Sequence, residues 1–117
     1  FSAKAFLDRF VDRYNKQDKL WVVGYNVNFD VQMLYAAADF CGFKYLGGLI
    51  FYPPIDVAAL AAIYLREIRP AMPNFRQETV ARELGLEYEN EAFHDALFDV
   101  RVCRDIFKVV AGPIFGG

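Results

Sequence analysis

Leu20-Trp21-Val22-Val23-Gly24-Tyr25-Asn26-Val27-Asn28-Phe29-Asp30 is the stretch on which the fold turns. Four apolar residues in unbroken succession, 20–23, do not alternate as a half-buried strand does. A strand covered on both faces reads this way, so a central strand of a parallel sheet is expected over about 20–25. Gly24 supplies a tight turn, and a helical pattern opens at Asp30 or Val31. A carboxylate at a helix start, just past the end of a buried strand, is a common setting for catalytic acids at a sheet's C-terminal edge.

Working outward, helices dominate. Upstream, Phe6, Phe10, Val11 and Tyr14 recur at spacings of three and four, which predicts an amphipathic helix over 2–14 with Ser2 as N-cap. Downstream, Val31, Leu34, Tyr35 and Ala38 mark a helix closed by Gly42 at C′. Gly47-Gly48 and Pro53-Pro54 punctuate a loop and a short second strand, expected over about 49–56. Asp56 is placed to cap a third helix striped by Val57, Leu60, Ala61, Tyr64, Leu65 and Ile68 and stopped by Pro70. A short helix over 75–84 ends at Gly85, and an acidic loop follows over 87–92. The last helix begins near Asp95, carries Ala96, Val100, Cys103, Ile106, Phe107 and Val110 on one side, and ends before Gly112-Pro113.

At 117 residues the chain amounts to one domain or part of one. Hydrophobic residues make up 56%, with 12 Phe and 7 Tyr, ample apolar material for a core, which argues against a disordered chain. A net charge of −2 carries no electrostatic footprint for nucleic acid, so any such contact must be local or carried by bound cations. Cys41 and Cys103 lie far apart without metal-type spacing, which points to a reducing cytoplasm. No run reads as a signal peptide or a membrane span. A start on Phe1 and a Gly112-Pro113-Ile114-Phe115-Gly116-Gly117 end read as a piece of a longer protein.

Three residues could carry chemistry. His94, the only histidine, stands before a helix that Asp95 can cap, and taken alone it reads as a loop residue. Asp99 falls on the first turn of that helix beside its apolar stripe, and an inward carboxylate is costly unless paired or bound to a metal. Asp30 alone reads as a carboxylate favoured by the helix dipole. Together they form a strand-Gly-x-Asn-x-x-Phe-Asp motif followed downstream by His-x4-Asp.

That pair of motifs resembles the DEDDh family of 3′–5′ exonucleases, which has a ribonuclease-H-like α/β fold. Gly24 to Asp30 matches the family's second motif, and His94-Asp95-Ala96-Leu97-Phe98-Asp99 its third. Ile55-Asp56-Val57 with Leu60-Ala61 is similar to an intervening Asp-Thr-x-x-Leu-Ala segment, with Val57 in place of Thr. Leu84-Gly85-Leu86 is similar to the Leu-Gly-Ile that ends the small helix. The DEDDy branch needs Tyr where Asp95 stands, so the His branch is the one that fits. The resemblance covers about 6–107.

The resemblance implies hydrolysis of phosphodiester bonds from the 3′ end of DNA or RNA. Two Mg²⁺ ions, replaceable by Mn²⁺ and roughly 4 Å apart, would activate water and neutralise charge. It implies Asp99 and Asp30 as metal ligands, His94 as general base, and Asn26 and Phe29 as contacts to the substrate, Phe29 by stacking on a terminal base. Tyr25 and Phe98 could also stack, but burial is the expected role for both in so aromatic a chain.

One departure limits this. The family's first motif, Asp-x-Glu on the first strand, occurs nowhere in the chain, and Glu89-Asn90-Glu91 has the wrong order and place. The expectation is therefore a partial ribonuclease-H-like fold, the C-terminal portion of a single exonuclease domain spanning 1–117, with its first three strands absent. Such a piece would be nearly inactive alone. Its unpaired strand invites a strand-mediated or swapped homodimer, and a polymerase partner or fused domain would belong to the parent. The alternative is a non-catalytic module that keeps the fold for binding or assembly.

Overall fold

The computed structural model describes residues 9–12, 15–43, 46–88 and 95–113. Helices dominate: β1 (Val23–Gly24), α1 (Val27–Phe40), β2 (Ile55–Asp56), α2 (Val57–Tyr64), α3 (Gln77–Glu83) and α4 (Ala96–Ala111), with short 3₁₀ turns at Leu46–Gly48 and Arg69–Ala71. β1 and β2 form a two-stranded sheet. Upstream, Leu20 and Ile50 form a parallel bridge. The helix-rich chain with a short parallel pair suits an α/β piece. None of the described helices is long and apolar enough to cross a membrane.

Two compact units emerge, one made of Phe1–Val23 with Val27–Ile55, the other of Gly24–Asn26 with Asp56–Gly117. In the first, Leu20 N–H donates to the Leu49 carbonyl, Phe51 N–H to that of Leu20 and Ile55 N–H to that of Val22, each at 2.8 Å. The expected two-faced burial of 20–23 does not hold. Trp21 is 62% exposed and Val23 is exposed, while Leu20 and Val22 are half-buried. Successive side chains of an extended segment point to opposite faces, and only one face here is lined. Trp21 instead leans on Phe51, ring centroids 5.3 Å apart.

The first unit buries Val11, Val27, Leu46, Leu49 and Ile50. The helix expected over 2–14 lies partly outside the described residues. Within 9–12 the chain is turn and irregular, and Phe10 is exposed. Local polar bonds compete with the helix there: Asp12 N–H donates to Asp18 Oδ2 (2.8 Å) and Gln17 N–H to Asn15 Oδ1 (2.9 Å). α1 begins at Val27, earlier than the apolar pattern suggests. Of its expected inner residues, Val31 and Ala38 are half-buried, whereas Leu34 and Tyr35 are exposed.

Both glycines expected at helix ends occupy the left-handed region, Gly42 at φ 75° and Gly85 at φ 76°. After α1, Gly42 N–H bonds the Asp39 carbonyl (3.0 Å) and Phe43 N–H that of Ala38 (2.8 Å). After α3, Gly85 N–H bonds the Arg82 carbonyl (3.0 Å) and Leu86 N–H that of Ala81 (2.9 Å). Each pair is a Schellman closure, which satisfies carbonyls the helix leaves open.

The second unit has a closed core of Val57, Ala61, Leu65, Met72, Val80, Ala81, Val102, Cys103, Ile106 and Val110. α4 packs against both α2 and α3. Its buried stripe runs through Val102, Cys103, Ile106, Val110 and Ala111. Ala96 and Val100, expected on that stripe, are exposed instead. The stripe is offset because Val102 faces inward, so the buried spacing is 102, 103, 106, 110. α2 ends at Tyr64, short of Pro70, and Tyr64 and Ile68 lie exposed. The chain winds down through Ile68 N–H on the Leu65 carbonyl (3.1 Å) into the 3₁₀ turn Arg69–Ala71, where Pro70 needs no donor.

Candidate active site

The Gly24 to Asp30 motif leaves β1 through a reversal that the sequence places at Gly24. The structure places it at Asn26, whose φ is 55°, the non-glycine residue at positive φ among those described. Asparagine tolerates this region better than most side chains. The reversal leads directly into α1, so Asp30 lies inside the helix's first turn and is exposed. A carboxylate there sits in the favourable end of the helix dipole.

Two hydrogen bonds hold the reversal within the second unit. Asn26 N–H donates to Asp56 Oδ1 at 3.0 Å. The Tyr25 hydroxyl donates to the Phe75 carbonyl at 2.5 Å. Burial, and next the nearby Asp56 carboxylate, push the Tyr25 hydroxyl well above its ordinary range, with Arg69 opposing. Tyr25 therefore stays a donor. The Arg69 guanidinium also lies over the Phe75 ring, 4.9 Å from its centroid.

Asp56 caps α2 as the sequence indicates, its Oδ1 accepting from Ala58 N–H at 3.0 Å. The same oxygen serves Asn26, a second bond that spans 30 positions of sequence and that no local pattern announces. Asp95 caps α4 in the same manner, its Oδ1 accepting from Leu97 N–H (2.9 Å) and Phe98 N–H (3.1 Å). Helix α4 thus starts at Ala96, with Asp99 on its first turn.

Asp99 is half-buried, in helical register with Val102, Cys103 and Ile106. Half-burial accords with its place beside the buried stripe of α4, which begins at Val102 rather than at Ala96. Its backbone carbonyl accepts from Gln77 Nε2 at 2.9 Å, which ties the first turn of α4 to the first residue of α3. Phe29 is 68% exposed. Tyr25 and Phe98 pack against the core, and Phe98 meets Tyr88 edge-on with centroids 5.2 Å apart. The Tyr88 hydroxyl donates to Asp105 Oδ2 (2.8 Å), and desolvation with this bond pushes it up to about 12.

Asp30 belongs to the first unit and Asn26 and Asp99 to the second. His94 lies outside the described residues. Among those described, no three His, Cys, Asp or Glu side chains group to hold a metal ion. The donor chemistry of Asp30 and Asp99 is all oxygen, as Mg²⁺ or Mn²⁺ prefers, and such ions are held by one or two carboxylates with waters and substrate phosphate completing the shell. Sequence reasoning missed the Asn26 reversal, the second bond of Asp56 and the Gln77 tie. For Asn26 the signal available in the sequence is asparagine's tolerance of positive φ. No family model, curated protein or solved structure matches the chain.

Proposed function

We propose that the chain is part of a DEDDh-type 3′–5′ exonuclease with a partial ribonuclease-H-like fold, acting on single-stranded 3′ ends of DNA or RNA. The observation that carries this reading is the placement of both motif carboxylates on first turns of helices, Asp30 in α1 and Asp99 in α4. The third motif further requires that α4 begin just after its histidine, and the Asp95 cap starts the helix at Ala96.

Divalent cations, Mg²⁺ or Mn²⁺, supply when bound the activation of water and the neutralisation of phosphate charge. Within this chain, Asp30 and Asp99 offer carboxylate oxygens for them. His94 accepts the proton of the attacking water, a role suited to a group titrating near neutrality. Asn26 and the exposed Phe29 engage the terminal nucleotide, Phe29 through its ring. The family's other two metal-binding carboxylates have no counterpart in this sequence, in which Asp-x-Glu does not occur.

A second reading, a binding or assembly module that keeps the fold without catalysis, draws on the apolar residues α1 exposes, Phe29, Met33 and Phe40. Such a surface suits a homodimer or a polymerase-type partner or fused domain.

The two readings separate in a binding assay with a fluorescent single-stranded oligonucleotide ending in a 3′ hydroxyl, with Mn²⁺ and with EDTA. The exonuclease reading expects Mn²⁺-dependent binding that Asp99→Asn and Asp30→Asn each weaken about tenfold or more, the worth of a charge-assisted contact. Turnover of the chain alone stays near background. Binding indifferent to both Mn²⁺ and these substitutions sinks the exonuclease reading.

A further inference from the structure

We propose that Asp56 is a positioning residue for Asn26. Its single Oδ1 oxygen fixes the left-handed reversal that presents the Asn26 side chain. Three observations carry this. Asn26 adopts φ 55°, a conformation most L residues avoid and asparagine enters more readily than they do, so a modest contact can hold it there. Its N–H is directed at Asp56 Oδ1, 3.0 Å away, and the same oxygen takes the Ala58 N–H at 3.0 Å. Asn26 is exposed, so neighbouring side chains do not enforce the conformation by enclosing it.

The geometry makes one carboxylate serve two purposes. Capping α2 holds the Asp56 side chain in one rotamer, and that rotamer leaves the oxygen facing the reversal. The start of α2 is itself anchored, because Val57 and Ala61 are wholly buried. A rigid core element thereby dictates the backbone of an exposed turn 30 positions away in sequence. The Tyr25 hydroxyl on the Phe75 carbonyl holds the preceding residue, so Asn26 has little remaining freedom. Preorganisation of this kind lowers the ordering cost of binding.

The link to substrate rests on reading Gly24 to Asp30 as an exonuclease motif, whereas the positioning itself does not. The test separates the two. Asp56→Ser keeps a cap for Ala58 but is too short to reach Asn26. Asp56→Asn keeps an acceptor oxygen for both, and Asp56→Ala removes both. In ¹⁵N–¹H spectra, the Asn26 amide should lose its hydrogen-bonded shift and gain a steep temperature coefficient in Asp56→Ser and Asp56→Ala. In Asp56→Asn it should stay near wild type. The Ala58 amide should change only in Asp56→Ala. An Asn26 amide unmoved in both Asp56→Ser and Asp56→Ala overturns the proposal, as does an Asp56→Asn spectrum that matches Asp56→Ala at Asn26.

The same samples are then titrated with the 3′-hydroxyl oligonucleotide and Mn²⁺. Asp56→Ser should weaken binding about tenfold, with Asp56→Asn restoring it, as expected when a preorganised contact is loosened. Wild-type protein that fails to bind the oligonucleotide, while the Asn26 amide responds in the Asp56 variants as described, removes the exonuclease reading and leaves Asp56 as the residue that sets the turn.

Discussion

The two units use similar apolar material in opposite ways. In the second, α2, α3 and α4 enclose Val57, Ala61, Val80, Val102 and Ile106 so completely that none reaches solvent. In the first, α1 buries Val27 while Phe29, Met33 and Phe40 stand exposed, Phe40 at 94%. Phe29, Met33, Ala36 and Phe40 follow one another at spacings of four, three and four, so they share a face. Val27, Val31 and Ala38 share another. A helix apolar on two faces needs cover on both to lower its free energy fully. Hydrophobicity in a sequence therefore states how much surface seeks burial, and leaves open whether the same unit supplies the cover.

The largest effect that sharpens this contrast is expected in the second core. Ile106→Ala should cost about 2–5 kcal/mol, the range for a large side chain lost from a closed core. Urea unfolding followed by far-ultraviolet circular dichroism measures it. A loss below about 1 kcal/mol would show that α4 can collapse around the cavity and that the core is looser than its burial implies.

A smaller effect is expected at Tyr88, which ties the chain before the third motif to α4 through Asp105. Tyr88→Phe should cost about 1 kcal/mol or less for one partly exposed hydrogen bond. Folding raises this hydroxyl from 10.0 to about 12, so the folded state holds the proton over a range where the unfolded chain releases it. Its contribution is thus complete below pH 10 and declines as pH rises towards 12. Stability measured across that range should fall less steeply in Tyr88→Phe than in wild type. Equal slopes would assign the decline to other groups.

The smallest effect belongs to α1. Phe40→Ser should change stability by no more than about 0.5 kcal/mol, as for other exposed positions. A loss comparable with that of Ile106→Ala would break the comparison, since it would mean that Phe40 is covered in solution. Sedimentation of both proteins would then tell whether a second copy supplies the cover.

Much of the local punctuation was legible because single residues carry it. Gly42 and Gly85 end their helices by adopting a conformation that few other residues enter, and Asp56 and Asp95 start theirs with a side-chain oxygen. Long-range matters were less legible. Apolar succession over 20–23 predicted cover on two faces, but burial depends on what packs there, and Trp21 and Val23 remain exposed. On α4, Val100 and Val102 are equally apolar, and only packing against α2 and α3 selects Val102. At the candidate site, the first-turn positions of Asp30 and Asp99 follow from helix starts. The left-handed Asn26 and its bond to Asp56 depend on pairing across 30 positions. Periodicity has no access to that distance.

The two thiols sit on opposite sides of the same contrast. Cys41 is exposed immediately after α1, and Cys103 is buried in the second core. A disulfide-exchange reagent in excess should therefore modify the chain in two kinetic phases. The first phase, at Cys41, reports simple accessibility, while the second can proceed only as often as α4 separates from its neighbours. The protein thus carries its own chemical clock for the opening of the second unit, readable without any label added by design.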